Sequence, residues 1–208
     1  MFLATYFLKE KQFLVNVDSY INRRLIVLDV EGKKELCRVD LNPDDYGTYA
    51  EVSSEKNIFA VITPNKKVRL YNFKCQEQFS KELVGEGNLK SSIDPNGNLT
   101  FYYWGDSVLN TLDLSNYSLK KEDLAENIYG IKWNKKGQRL VLFGEPNIVN
   151  SLILKAASFI NGMMTNITES SGHFQHNETY WGPIDSNSFF LLKEFAIRED
   201  EIHIYKWK

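Results

Sequence analysis

Runs of β-branched and aromatic residues, each broken by a short polar turn, set the rhythm of this 208-residue chain. Residues 58–63, Ile-Phe-Ala-Val-Ile-Thr, are apolar with almost no interruption, as in a strand covered on both faces. Residues 68–73 alternate instead, Val68 and Leu70 against Arg69 and Tyr71, the pattern of a half-exposed strand. Between them lies Pro64-Asn65-Lys66-Lys67, where Pro64 presets φ and Asn65 tolerates left-handed geometry. The stretch 53–73 therefore predicts a β-hairpin.

The same hairpin recurs about every 41 residues. Its first strand is anchored at Phe13, Ile58, Leu99, Leu140 and Phe189, and its second at Leu25, Val68, Leu109, Val149 and Ile202. A shorter strand precedes each hairpin and ends in a small polar turn, as at Val52-Ser53-Ser54, Ile93-Asp94-Pro95-Asn96-Gly97, Trp133 to Gly137 and Ile184-Asp185-Ser186-Asn187. Gly97 and Gly137 supply the positive φ that a tight turn needs. A more polar strand follows most units, at 35–41, 78–84 and 119–124, as a solvent-facing edge requires. Four strands graded from buried to exposed and repeated at this period predict propeller blades.

Val68-Arg69-Leu70-Tyr71-Asn72 closes the third strand of its unit with Tyr-Asn, while Leu28-Asp29 and Leu112-Asp113 keep an acid at the same place. On these residues the chain resembles a WD40-like β-propeller, a family whose third strand usually ends in Trp-Asp. The resemblance spans nearly the whole chain. It implies a ring of blades that presents loops to another macromolecule.

Five blades account for the length, with approximate bounds 1–45, 46–86, 87–126, 127–172 and 173–208, in a single all-β domain. A β-sandwich or an irregular all-β stack is the alternative. Met1 opens on the innermost strand and Lys208 follows the third strand of the last unit. The expectation is thus a three-stranded fifth blade, or a ring closed only by packing. Residues 151–164 break the pattern: Leu152, Ala156, Phe159, Ile160 and Met163 fall at helical spacing, and helix and outer strand stand equal. The polar stretch 165–177 reads as a surface loop.

Charge narrows the function classes. Lys and Arg number 25 against 27 Asp and Glu, and no basic run exceeds two residues, which disfavours nucleic acid. No apolar run approaches a membrane span. The opening Met1 to Leu8 lacks a basic leader and a small-residue cleavage site, so it reads as a first strand. Cys37 and Cys75 do not occupy matching blade positions, and each is expected as a reduced, small, buried apolar residue. The expected location is cytoplasmic. Asn-x-Ser/Thr triplets at Asn98, Asn116, Asn166 and Asn177 are then chance matches.

Catalytic sets fare poorly. His173 and His176 have chelating spacing, but no cysteine lies nearby and Glu178 is the only adjacent carboxylate, so no metal and no cofactor is expected. His203 alternates with Ile202 and Ile204 and is structural. Five-bladed glycosidases need paired carboxylates on innermost strands. Here Asp94 and Asp185 precede turns, which leaves Glu51 without a second acid. The chain is expected not to be an enzyme. Tyr103, Trp104, Tyr180 and Trp181 are the candidate binding residues, because Tyr and Trp anchor protein interfaces and also stack on sugars. The expected function is non-catalytic protein binding, as an inhibitor or immunity protein covering a toxin or as a subunit of an assembly. The alternative is a carbohydrate-binding or glycoside-cleaving propeller.

Overall fold

A computed structural model describes residues 2–9, 11–18, 23–42, 49–63, 65–134, 138–143, 154–160, 163–170, 181–183, 188–193 and 201–206. Strands after residue 143, and most of the first strand, are described by their backbone pairing alone. Among the described residues there is no helix, and none long and apolar enough to cross a membrane.

The described strands form five sheets, each following chain order from one edge to the other. The first contains β1 (Phe2–Lys9), β2 (Gln12–Asp18), β3 (Arg23–Asp29) and β4 (Lys34–Leu41). The second contains β5 (Tyr49–Ser53), β6 (Ile58–Ile62), β7 (Lys67–Asn72) and β8 (Glu77–Glu82). The third contains β9 (Leu89–Ile93), β10 (Leu99–Tyr103), β11 (Val108–Leu112) and β12 (Leu119–Asp123). The fourth contains β13 (Ile128–Trp133), β14 (Arg139–Phe143), β15 (Leu154–Ile160) and β16 (Met163–Ser170). The fifth has three strands, β17 (Trp181–Pro183), β18 (Ser188–Lys193) and β19 (Glu201–Lys206).

The predicted hairpin is the centre of the second sheet, with Ile58 opposite Asn72 and Ile62 opposite Val68. All five residues of β6 are buried, whereas β7 half-buries Lys67, Arg69 and Asn72 and buries Val68, Leu70 and also Tyr71, which alternation places on the exposed face. Both β10 and β14 repeat the fully buried pattern. Period-2 side-chain alternation explains the difference: a strand buried on both faces is apolar at nearly every position, with Thr100 and Arg139 as the polar exceptions in β10 and β14, and its neighbour only on one face. At the edges, β8 and β12 carry mostly polar or charged residues, the majority of them exposed, which blunts strand-to-strand aggregation.

Local details depart from expectation in three places. The left-handed residue of the β6–β7 turn is Lys66, at φ 60°, rather than Asn65. The Thr63 hydroxyl accepts from Lys67 N–H, and the Lys66 ammonium donates to the Gly85 carbonyl, so the turn is held from its flanks. Residues 154–160 form a strand, which overturns the helical reading; 149–153, where the hairpin's second strand is expected, lie outside the described residues. β15 pairs with β14, Leu142 opposite Ala156 and Leu140 opposite Ser158, because the buried β14 requires a partner for its backbone groups. β16 then occupies the first part of the predicted loop, 165–170, and pairs with β15 from Ile160 opposite Met163; 171–177 lie outside the described residues.

By proximity the described residues divide into two compact units, 1–93 with 97–99 and 112–119, and 94–96 with 100–111 and 120–208. The division runs through the third sheet. In the first unit Leu8, Leu14, Leu25, Val27, Phe59 and Val61 form one core, with Phe59 stacked on Tyr71 at 5.4 Å. The first strands of its sheets lie side by side, β1 beside β5 and β5 beside β9. In the second unit Leu109, Ile128, Ile131, Val141 and Phe143 form a separate core, and β13 lies beside β17. Each such side chain, once buried, contributes about 1.5–3 kcal/mol from removal of apolar area from water.

Candidate binding surface

In the first three sheets the end of the third strand builds the turn that presents surface residues. Asp29 accepts from the N–H groups of Glu31 and Gly32, Asn72 from Lys74 and Gln76, and Asp113 from Ser115. These are Asx turns, in which a short side-chain oxygen replaces a backbone acceptor. Each turn then places one residue in the left-handed region: Lys33 at φ 47°, Cys75 at 58° and Tyr117 at 61°. The Asn or Asp on which the family resemblance rests thus has a local mechanical task. Inner-strand turns use the same chemistry, with the Asp94 carboxylate accepting from Asn96 N–H as expected, and Gly97 at φ 76°. Gly137 and Asp185 lie outside the described residues.

In the first unit an open cleft of about 750 Å³ lies over the first two sheets. Its walls carry the amides of Gln12, Asn57, Asn72 and Gln76, with Lys74 as its basic residue. Leu36, Cys37 and Phe73 supply apolar surface, and Leu36 is exposed. The Asn72 amide is already committed to its turn and donates to Gln76 Oε1 at 2.9 Å.

The two cysteines correct the sequence reading. Cys37 on β4 and Cys75 in the β7–β8 turn are joined by a disulfide, with Cα atoms 5.9 Å apart. They are neither reduced nor independently buried, and both are half-buried. Their positions in the repeat do differ, and this is what brings them together: the outer strand of one sheet meets the third-to-fourth-strand turn of the next. Phe79 on β8 and Tyr117 in the β11–β12 turn meet in the same way one repeat later, their rings stacked at 4.9 Å. The two pairs share one sequence separation, 38 residues.

Of the candidate binding aromatics, Tyr103 is 2% exposed and belongs to the core, because β10 is covered on both faces. Burial raises its hydroxyl pKa, with Asp106 adding to the effect. Trp104 stands at the next position and is 41% exposed. It packs edge-on against Tyr129 at 4.8 Å, and the Tyr129 hydroxyl pKa is raised by burial. Three backbone hydrogen bonds fix this turn: Gly105 N–H to the Ile128 carbonyl, Ile128 N–H to the Asp106 carbonyl and Asp106 N–H to the Tyr103 carbonyl. Trp104 is therefore presented from a rigid corner. Trp181 opens β17, with its side chain outside the description, and Tyr180 lies outside the described residues.

His173 and His176 also lie outside the described residues, and among the described residues no group of metal-ligating side chains occurs. Glu51 accepts a hydrogen bond from the Ser91 hydroxyl at 2.9 Å, between the neighbouring strands β5 and β9. An ion pair that the sequence reading missed lies in the second unit, where Arg139 meets Glu122 through two hydrogen bonds of 2.8 Å. Arginine inside an otherwise apolar strand was its one signal.

Comparison with known proteins gives little beyond this geometry. No protein-family model and no curated protein matches the sequence. Among solved structures, the chain is similar to the WD40 β-propeller domain of Doa1, with a TM-score of 0.45 and 15% identity. The match covers 66% of this chain and 46% of that one, so it spans less than half of the solved chain.

Proposed function

We propose that the chain is a five-bladed β-propeller, its last blade three-stranded, that binds another protein without catalysing a reaction. Support for the propeller comes from five sheets in chain order and from the side-by-side placement of β1, β5 and β9 within one unit, and of β13 and β17 within the other.

Trp104 carries the binding reading. A large aromatic ring left 41% exposed, held edge-on by Tyr129 and fixed by three backbone hydrogen bonds, is a preorganised anchor for a partner's surface. Tyr180 and Trp181 are the further anchors proposed. The non-catalytic part rests on the acids of the inner strands: Glu51 is engaged by Ser91, and Asp94 caps a turn. Inhibitor of a toxin and subunit of a larger assembly are the two roles that suit such a binder.

The test is retention of a stoichiometric protein from the native lysate by the wild-type chain, compared with Trp104→Ala. The reading expects one partner retained at moderate salt, and retention reduced at least tenfold by the substitution at unchanged melting temperature. Equal retention by both chains removes Trp104 from the surface. Binding to a glycan array in place of a protein would favour the carbohydrate class, where the same ring stacks on a sugar.

A further inference from the structure

We propose that the Cys37–Cys75 disulfide is a reducible latch that controls how firmly β4 holds the β7–β8 turn, and with it the wall of the adjoining cleft. Three observations carry this. The bond joins the outer strand of the first sheet to a turn of the second, and so sits where two repeats meet. At the equivalent place one repeat on, Phe79 and Tyr117 do the same task with stacked rings, so the fold does not need a covalent bond at such a junction. The Cys37 side lines the open cleft, and both cysteines are half-buried, which gives a thiol a path to the sulfur.

The step is a thiol–disulfide exchange with a dithiol reductant. One reductant thiolate attacks the Cys37 sulfur from the cleft, the S–S bond breaks, and Cys75 leaves as thiolate and takes a proton. The reductant's second thiolate then attacks its own sulfur in the mixed disulfide and releases Cys37 as a thiol. Two electrons pass to the protein and the dithiol becomes a cyclic disulfide. With the bond cut, Cys75 remains in a left-handed turn at φ 58°, held by hydrogen bonds to Asn72 and by packing against the core, with no covalent tie to β4. No stacked rings replace the latch there. The turn, Lys74 and Gln76 are then free to move away from Leu36 and open the cleft.

Hydrogen exchange on the full chain tests the latch, read at residues 34–41 and 72–77 with thiol titration in parallel. Oxidised protein should show no titratable thiol and slow exchange. A dithiol should release two thiols under native conditions and speed exchange in both segments at least tenfold, leaving β14 unchanged. Cys37→Ser with Cys75→Ser should exchange fast with or without reductant. Cys37→Phe with Cys75→Tyr, which installs the rings of the next junction, should exchange slowly in both conditions. Two thiols in oxidised native protein, reduction only after global unfolding, or unchanged exchange in the fully reduced wild type would each overturn the proposal.

Discussion

Arg139 and Glu122 meet through two parallel hydrogen bonds of 2.8 Å, tying β14 to the outer strand β12 of the preceding sheet. The arginine side chain is 7% exposed and the glutamate 35%, and the guanidinium carbon lies 5.9 Å from the Trp133 ring centre. The guanidinium holds the Glu122 carboxyl below the ordinary glutamate range, against an opposing effect of burial.

Glu122→Gln should lower stability by about 1–2 kcal/mol at neutral pH, because a nearly buried guanidinium loses its counter-charge, an effect reduced by solvent screening at the partly exposed carboxylate. A depressed folded pKa contributes stability above the unfolded value, and that contribution is lost as pH falls through the folded one. Melting curves of the two proteins should therefore converge below about pH 4. A gap that stayed constant through acid would place the effect in packing.

Gly97 and Ser53 form a second tie, with the buried serine hydroxyl donating to the Gly97 carbonyl at 2.9 Å. A Cβ on Gly97 would stand 2.7 Å from that oxygen, on a backbone at φ 76°. Ser53→Ala should cost about 1 kcal/mol. Gly97→Ala should cost more, about 1–3 kcal/mol, through left-handed strain plus the clash. In the double variant the clash is relieved and the strain stays, so denaturant midpoints should show a cost below the sum of the two single changes.

Asn72→Ala should destabilise by about 1–2 kcal/mol, since two turn N–H groups lose their acceptor. Asn72→Asp should cost less, as it keeps the acceptor and gives up only the bond to Gln76. Chemical denaturation of the three proteins separates the outcomes, and equal losses for Ala and Asp would assign the effect to the amide donor.

Tyr71 and Tyr103 have hydroxyl pKa values raised above the ordinary tyrosine value by burial. A raised folded value contributes stability below the unfolded pKa, and it is lost as pH climbs through the folded one. Absorbance titration near 295 nm should therefore show late-titrating tyrosines, and stability should fall in alkali above about pH 10. Simultaneous ionisation of every tyrosine in the native state would contradict the burial of these two.

Much of this was written in the pattern of the chain. The half-exposed Arg69 between Val68 and Leu70 and the continuous run from Ile58 announced strands of different burial, because side-chain period and apolarity are local properties, but Tyr71 is buried against Phe59 where alternation leaves it exposed. Repetition made the same reading possible for β2, β10 and β18. The segment 154–170 was legible too, through Asn161-Gly162 between two β-rich runs, but helical spacing of five apolar residues competed with that signal.

The sequence by itself determined the all-β class, the repeat, the polar outer strands and Asp94 as a turn residue. Tertiary structure alone decided which distant residues meet. Cys37 reaches Cys75, Phe79 reaches Tyr117 and Arg139 reaches Glu122 because each outer strand packs beside the following repeat. It also decided that Tyr103 is core while Trp104 is surface, one position apart. β10 is covered on both faces and ends at Tyr103, so Trp104 falls in the turn beyond it; where a strand stops and which of its faces are covered depend on neighbours contributed from elsewhere in the chain.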